Sequence, residues 1–346
     1  MARISIIIPV YNAEKYLDAC LQSIENQTFR DYQIIAIEDQ STDNSFEILK
    51  KHEEKDKHKI VVLQNPKNMG AGSSRNRGLQ VADSEYIGFV DSDDKIHETM
   101  YQSLWTASQE TNADIARGNR FIVYNNLNLS MLGRDGNYHQ KRIIVPKEEL
   151  DYTSREYPSV TNKLFKRELI GDSKFPEDLK WEDYPFCIPK LFHADKVVTV
   201  PEAEYYYRVN INGTTMKDAR KIPKQLLDIF TASDRIIEEV LKDYPTKEIE
   251  EQLNFIAIQN SLQRMRDILF SNVSYKQKKE LLAALSALIT KKYGAWQTNS
   301  YYQIYKKNRF AYQLRMDIIE KIIESSSKVE GSEEELTSSI QKILKK

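Results

Sequence analysis

The sequence predicts an α/β fold, a mostly parallel sheet with flanking helices, followed by a C-terminal helical region. Three observations carry this. Short apolar, β-branched runs alternate with amphipathic stretches through residues 4–90, the pattern of strand–helix–strand units whose sheet is covered on both faces. Beyond about Arg220 the chain consists of long segments with helical periodicity. Polar, acidic and glycine-containing segments fall where the strands end, which is where open α/β sheets bind ligands.

Ile4 to Val10 reads as the first strand. Ala13 to Gln27 then sets Tyr16, Leu17, Cys20, Leu21 and Ile24 on one helical face, with Asn12 as the expected N-cap. Tyr32 to Ile37 is the second strand, and Thr42 to His52 the second helix, with Phe46 and Leu49 facing inward. Ile60 to Leu63, Ser73 to Ala82 and Tyr86 to Val90 complete a strand, a helix and a fourth strand. The strand ends Pro9-Val10-Tyr11-Asn12, Glu38-Asp39, Asn65-Pro66 and Asp91-Ser92-Asp93 are expected to converge on one crevice. From Asp114 to Pro146 the pattern loosens into strands and polar turns at Asn125-Asn126 and Asp135-Gly136-Asn137, and residues 157–212 are mixed and aromatic-rich. Helices are expected over Gln225 to Leu241, Glu248 to Leu269, Tyr275 to Lys292, Tyr301 to Ser325 and Ser332 to Lys345, and the main boundary near 215–222.

A chain of 346 residues has room for one domain of about 200 residues and another of about 100. Fifty Lys and Arg against 51 Asp and Glu give a net charge of −1, which argues against a general nucleic-acid binder. The two cysteines, Cys20 and Cys187, lie in apolar surroundings and read as structural thiols of a reducing compartment. No signal-peptide cleavage site and no apolar run of about 18 residues is present, so a cytoplasmic location is expected.

The run Asp91-Ser92-Asp93-Asp94 directly follows a buried strand. Three carboxylates there would repel one another, and burying them unpaired would cost several kcal/mol. Either a hard divalent cation shared with a phosphate sits among them, or the run is a polar turn capping the next helix. Gly70-Ala71-Gly72-Ser73-Ser74-Arg75-Asn76-Arg77-Gly78 lacks the third glycine of a dinucleotide fingerprint and follows the third strand, not the first. No P-loop occurs either. What remains is a helix N-terminus with Arg75 and Arg77, either a phosphate holder or an ordinary helix with surface arginines. Trp181-Glu182-Asp183-Tyr184-Pro185-Phe186 brackets two carboxylates with aromatics, where desolvation could raise one pKa enough for a general base. The alternative is an acidic helix N-terminus.

Taken together, these segments resemble a family. Ile4 through Asn12, Ile37 through Asp43, Asn68 through Gly78 and Phe89 through Asp94 look like successive blocks of the family 2 (GT-A fold) inverting glycosyltransferases, the last as its DxD block. Asn162 through Arg167, Trp181-Glu182-Asp183 and Tyr205 through Arg208 resemble later blocks of the bacterial cell-surface polysaccharide members. The resemblance covers roughly residues 3–215. It implies a GT-A nucleotide-diphospho-sugar transferase fold over residues 1–218, with a nucleotide-binding half (1–113) and an acceptor-binding half (114–218), and a helical domain over 219–346. It further implies a metal-dependent inverting transfer from a UDP-sugar to a hydroxyl of a glycan or lipid-linked acceptor. By the same resemblance Pro9, Tyr11, Asn12, Asp39 and Asn68 serve the nucleotide, with Asp39 on the uracil. Arg75 contacts the diphosphate or ribose, Asp91 the ribose or donor sugar, Ser92 serves the nucleotide, and Asp93 ligates Mn²⁺ or Mg²⁺. Asp183 is the base, Glu182 and Trp181 shape the acceptor site, and Arg208 reaches the diphosphate once a nearby loop closes.

The sequence departs from the family in two places. The second block usually reads Asp-Asp-Gly and here reads Glu38-Asp39-Gln40, and Gly213 stands where relatives often carry serine. A nucleotidyltransferase and an inactive nucleotide-sugar-binding scaffold are the competing readings. The first leaves Asp183 without a task, and the second would be favoured if Asp93 or Asp183 were missing. The aromatic and basic residues Ala295-Trp296, Tyr301-Tyr302, Tyr305-Lys306-Lys307 and Arg309-Phe310 fit helix packing, a homo-oligomer contact or a peripheral surface at the inner face of a membrane.

Overall fold

The computed structural model describes residues 2–124, 127–128, 139–155, 158–209, 226–307, 310–324 and 329–344. The expected turns at 125–126 and 135–137, the segment 210–215, the boundary at 218/219 and Arg309 lie outside the described residues. The chain divides into two units, residues 1–178 with 182–210, and residues 179–181 with 211–346.

The first unit is built on a ten-stranded mixed sheet. Strands β1 (Ile4–Val10), β2 (Tyr32–Glu38), β3 (Ile60–Gln64) and β4 (Tyr86–Phe89) run parallel in the order β3-β2-β1-β4, with β3 at the edge. β1 is almost wholly buried because helices cover both faces, whereas the edge strand β3 exposes Val61 and Gln64. β9 (Lys163–Lys166) lies antiparallel to both β4 and β6 (Ile115–Tyr124), and β10 (Val197–Arg208) pairs parallel with β6. Two reversals therefore bring the carboxyl end of β10 back to the same edge as that of β4. Within β10, Val200 faces Gly118 and Glu204 faces Asn119, so β10 carries three more residues than β6 across that step. Pro201 falls in the extra loop, where its missing N–H costs nothing. The short strands β5 (Lys95–Ile96), β7 (Leu127–Asn128) and β8 (Arg142–Ile144) add antiparallel to β10 or β6.

Helices α1 (Leu17–Glu25), α2 (Ser45–Lys55), α3 (Gly70–Val81) and α4 (Met100–Thr111) flank the sheet, and the short helices α5 (Leu150–Arg155) and α6 (Arg167–Ile170) follow. α1 buries Leu17, Cys20, Leu21 and Ile24 as its periodicity requires. It does not start behind Asn12, however. That residue is held in the left-handed region (φ 49°), and its Oδ1 accepts from the Thr42 backbone N–H at 2.8 Å and the Thr42 hydroxyl at 3.2 Å. A side chain that ties two strand-end loops together cannot also cap a helix, so the N-cap expectation is corrected.

α3 lies against β1 through Gly78, where an added Cβ would stand 2.5 Å from Ile7 Cγ2. Gly78→Ala is expected to lower stability by about 1–3 kcal/mol through overpacking. Thermal unfolding checks this, and an unchanged melting temperature would mean that the helix can slide off the strand without cost.

The second unit is helical over Asp228–Asp243, Lys247–Phe270, Tyr275–Tyr293, Ser300–Lys307, Phe310–Glu324 and Glu333–Leu344. Within the helix expected over 301–325, Ser300–Lys307 and Phe310–Glu324 are helical, and residues 308–309 lie outside the described residues. Trp296 is 0% exposed and meets Tyr302 edge-on at 5.3 Å, so this pair belongs to the packing of the unit. No helix among the described residues is long and apolar enough to cross a membrane. Cys20 and Cys187 are buried and unpaired with each other, as structural thiols should be.

Candidate active site

The loops after β1, β2, β3 and β4 meet, and hydrogen bonds join them. After β2, Glu38 is fully buried and its carboxylate accepts from the backbone N–H groups of Gln40 and Ser41 and from Gln64 Nε2. These bonds hold the carboxyl below its usual range against the cost of burial. Gln40 adopts φ 60°, in the left-handed region that glycine enters most readily.

Asp39 is 3% exposed and already takes three donors: Asn65 Nδ2 at 2.7 Å, Met69 N at 2.8 Å and Gly70 N at 2.8 Å. It caps the entry to α3, where the free N–H groups of a helix start need an acceptor. Pro9 lies opposite Ile37 near the end of β1, Tyr11 just past that end is 47% exposed, and Asn68 is exposed on the loop entering α3. These residues, together with Asp39, form the rim expected to receive the nucleotide base. Arg77, which the sequence left as either a phosphate holder or a surface arginine, donates to the Gln64 carbonyl and Asn65 Oδ1.

Arg75 is the centre of the site. Its Nη1 donates to Glu182 Oε1 at 2.6 Å and Asp183 Oδ1 at 3.1 Å, and its Nη2 to Asp91 Oδ1 at 2.9 Å. The guanidinium lies over the Phe175 ring at 5.4 Å. Glu182 and Asp183 enter this group at the start of α7 (Asp183–His193), whose N-terminus favours negative charge. α3 can approach them because Gly72 carries no side chain: a Cβ there would lie 2.8 Å from the Pro176 carbonyl and 3.3 Å from Glu182 Cγ. Burial pushes the Asp183 carboxyl up to about 7, with Arg75 pulling it down and Glu182 and Asp91 pushing it further up.

The acidic turn after β4 is tied to β10. Tyr205, fully buried, donates its hydroxyl proton to Asp94 Oδ2 at 2.6 Å and accepts from the Asp91 N–H at 3.2 Å. The Arg208 N–H donates to Asp94 Oδ1 at 2.7 Å, and its Nε to the Asp93 carbonyl at 2.9 Å. Its guanidinium rests over the Tyr16 ring at 5.0 Å. Asp94 is therefore consumed by the fold of the turn, and Asp91 gives one oxygen, Oδ1, to Arg75, whereas the Asp93 carboxyl meets only its own backbone N–H and the charge of Arg208 among the described residues. Desolvation and the nearby Asp91 push the Asp93 carboxyl up to about 6. No cluster of three or more metal-type side chains occurs among the described residues. One carboxylate with open coordination fits a cation that takes its remaining ligands from phosphate oxygens and water. Ser92 lies in the same turn.

Trp181, expected beside Glu182 and Asp183, belongs to the second unit, where Arg264 lies over its ring at 4.5 Å and Lys180 at 5.5 Å. Its backbone is left-handed (φ 63°). The parts played by Asp94, Tyr205 and Tyr16 were not read from the sequence. The third carboxylate of the acidic run and the tyrosine run 205–207 were the available signals.

The chain is similar to known proteins in its sequence and its fold. A family model described as glycosyl transferase family 2 matches residues 5–172. The chain is 33% identical over 212 residues to glycosyltransferase GlyG of Streptococcus pneumoniae serotype 4, covering 59% of this chain and 70% of that protein. It is 32% identical over 246 residues to a poly(ribitol-phosphate) beta-glucosyltransferase of Bacillus spizizenii, covering 69% of this chain but only 37% of the relative. Among solved structures, S. aureus TarS 1-349 in complex with UDP-GlcNAc superposes with a TM-score of 0.57 at 20% identity, over 90% of this chain and 93% of that one. The fold is that of the GT-A glycosyltransferases. The chain belongs to glycosyltransferase family 2.

Proposed function

We propose that the protein is a metal-assisted inverting glycosyltransferase that moves a sugar from a UDP-sugar to a hydroxyl of a glycan or lipid-linked acceptor in a bacterial surface polymer. The observation that carries this reading is the joining of Asp91, on the turn after β4, to Glu182 and Asp183 at the start of α7, through one buried arginine. The names of the relatives, which act on poly(ribitol phosphate), support the polymer class.

In this reading the exposed Tyr11 and the Asp39 rim hold the uracil, and Asp91 and Ser92 orient the ribose or sugar. Asp183 takes the proton of the acceptor hydroxyl, and the oxygen of that hydroxyl attacks the anomeric carbon from the face opposite the diphosphate. The anomeric C–O bond to the diphosphate breaks, its electron pair leaves on the UDP oxygen, and a single displacement inverts the centre. Mn²⁺ or Mg²⁺ held at Asp93 would supply charge neutralisation for the departing diphosphate. A carboxyl near 7 suits the base role, because a general base works best with its pKa close to the operating pH. A nucleotidyltransferase would have no use for it.

Calorimetric titration with UDP and a panel of UDP-sugars, with and without Mn²⁺, tests the donor class. Metal-dependent UDP binding with one preferred sugar is expected. Absence of UDP binding under both conditions would remove the uracil assignment and the donor class with it.

A further inference from the structure

We propose that Arg75 is a positioning residue that yokes the donor-side carboxylate Asp91 to the acceptor-side pair Glu182 and Asp183, fixing the place and the negative charge of the base before either substrate arrives. This rests on the base assignment of Asp183 made above. The family resemblance points elsewhere, to contact with the diphosphate or ribose, and the geometry of this chain argues against that.

The Arg75 side chain is 5% exposed, and its two terminal nitrogens are committed to three carboxylates at 2.6, 2.9 and 3.1 Å. One cation facing three anions is already over-compensated. A phosphate reaching it would have to displace carboxylates that the chain brings in from β4 and α7. Only Nε lacks a hydrogen-bond partner among the described residues, and it is buried. A guanidinium suits this task because its rigid fork serves acceptors in two directions at once. A lysine ammonium is a compact point charge on a flexible stem, without that fork. Phe175 beneath the fork and the missing side chain at Gly72 let the segments close around it.

The charged groups facing Asp183 are then Arg75 from α3, Glu182 from its own segment and Asp91 from the turn after β4. Two of the three are anions, so Arg75 is the one charged group that favours the ionised base, with the Val160 N–H acting in the same direction. Burial and both neighbouring carboxylates act the other way.

The test reads the Asp183 carboxyl directly. In protein labelled with ¹³C at aspartate carboxyls, the Asp183 resonance is the one missing from Asp183→Asn. It is titrated in wild type, Arg75→Met and Arg75→Lys, and UDP affinity is measured on the same samples. Arg75→Met is expected to move the Asp183 titration upward by about one pH unit or more. UDP affinity should stay within about threefold, a change of well under 1.4 kcal/mol. Arg75→Lys, which keeps the charge, should move the titration by less than half as much, and it serves as the test if the Met variant does not fold. An unmoved Asp183 titration would overturn the proposal. An unmoved titration with UDP binding weakened about tenfold would make Arg75 a phosphate ligand instead. Loss of UDP binding in the wild type would strike the proposed function alone, because the titration needs no substrate.

Discussion

Asp183→Asn is expected to reduce sugar transfer by about 10²- to 10⁴-fold, the usual contribution of a general base, while UDP binding stays near wild type. Asparagine keeps the size of the side chain and removes only its ability to take a proton. Arg75 would still hold Asp91 and Glu182, at 2.9 and 2.6 Å, so the site should remain assembled. The wild-type pH profile carries the same assignment. Transfer needs the ionised carboxylate, so the rate should rise with pH through about 7 and level off above it. That limb should vanish from the residual activity of the variant. Initial rates of UDP release across pH, with calorimetry alongside, decide the matter. Loss of donor binding in Asp183→Asn would mean that the residue serves the nucleotide and not the acceptor. A wild-type rate with its pH limb intact would remove the base role altogether.

Much of this frame was legible in the sequence because its signals are local. β1 to β4 are continuous apolar runs bounded by polar turns, and their ends carry the residues that line the crevice. The departure at Gln40 was legible as a lost glycine, but the left-handed conformation that Gln40 adopts there, at φ 60°, was not. What stayed hidden depends on contacts between distant segments. Arg75 binds a partner 16 positions away and two others 107 and 108 positions away. No spacing rule connects an arginine in the first turns of one helix with the acidic start of another. Asn12 was misread for a related reason. Asparagine favours helix starts and left-handed turns alike, and the choice between them was made by Thr42. Asp94 and Tyr205 form their bond across 111 positions, and that bond assigns Asp94 to the fold of the turn and leaves Asp93 for the ligand.

That division of labour within the acidic turn gives the second large effect. Asp93→Ala is expected to weaken UDP-sugar binding measured with Mn²⁺, to leave metal-free UDP binding almost unchanged, and to respond poorly to added Mn²⁺. Several kcal/mol of charge stabilisation on the leaving group would go with the cation, which at 1.4 kcal/mol per tenfold is about 100-fold or more in turnover. Asp94 is a poor substitute ligand because the Tyr205 hydroxyl and the Arg208 N–H occupy its two oxygens. Asp91 is held by Arg75. The measurement belongs at about pH 8, because protons compete with a cation for a carboxyl pushed up to about 6. Calorimetry of UDP with and without Mn²⁺ on both proteins gives the answer. If Asp93→Ala keeps the full metal response of the wild type, the cation is held elsewhere, and the charge on the diphosphate must be met by groups other than this turn.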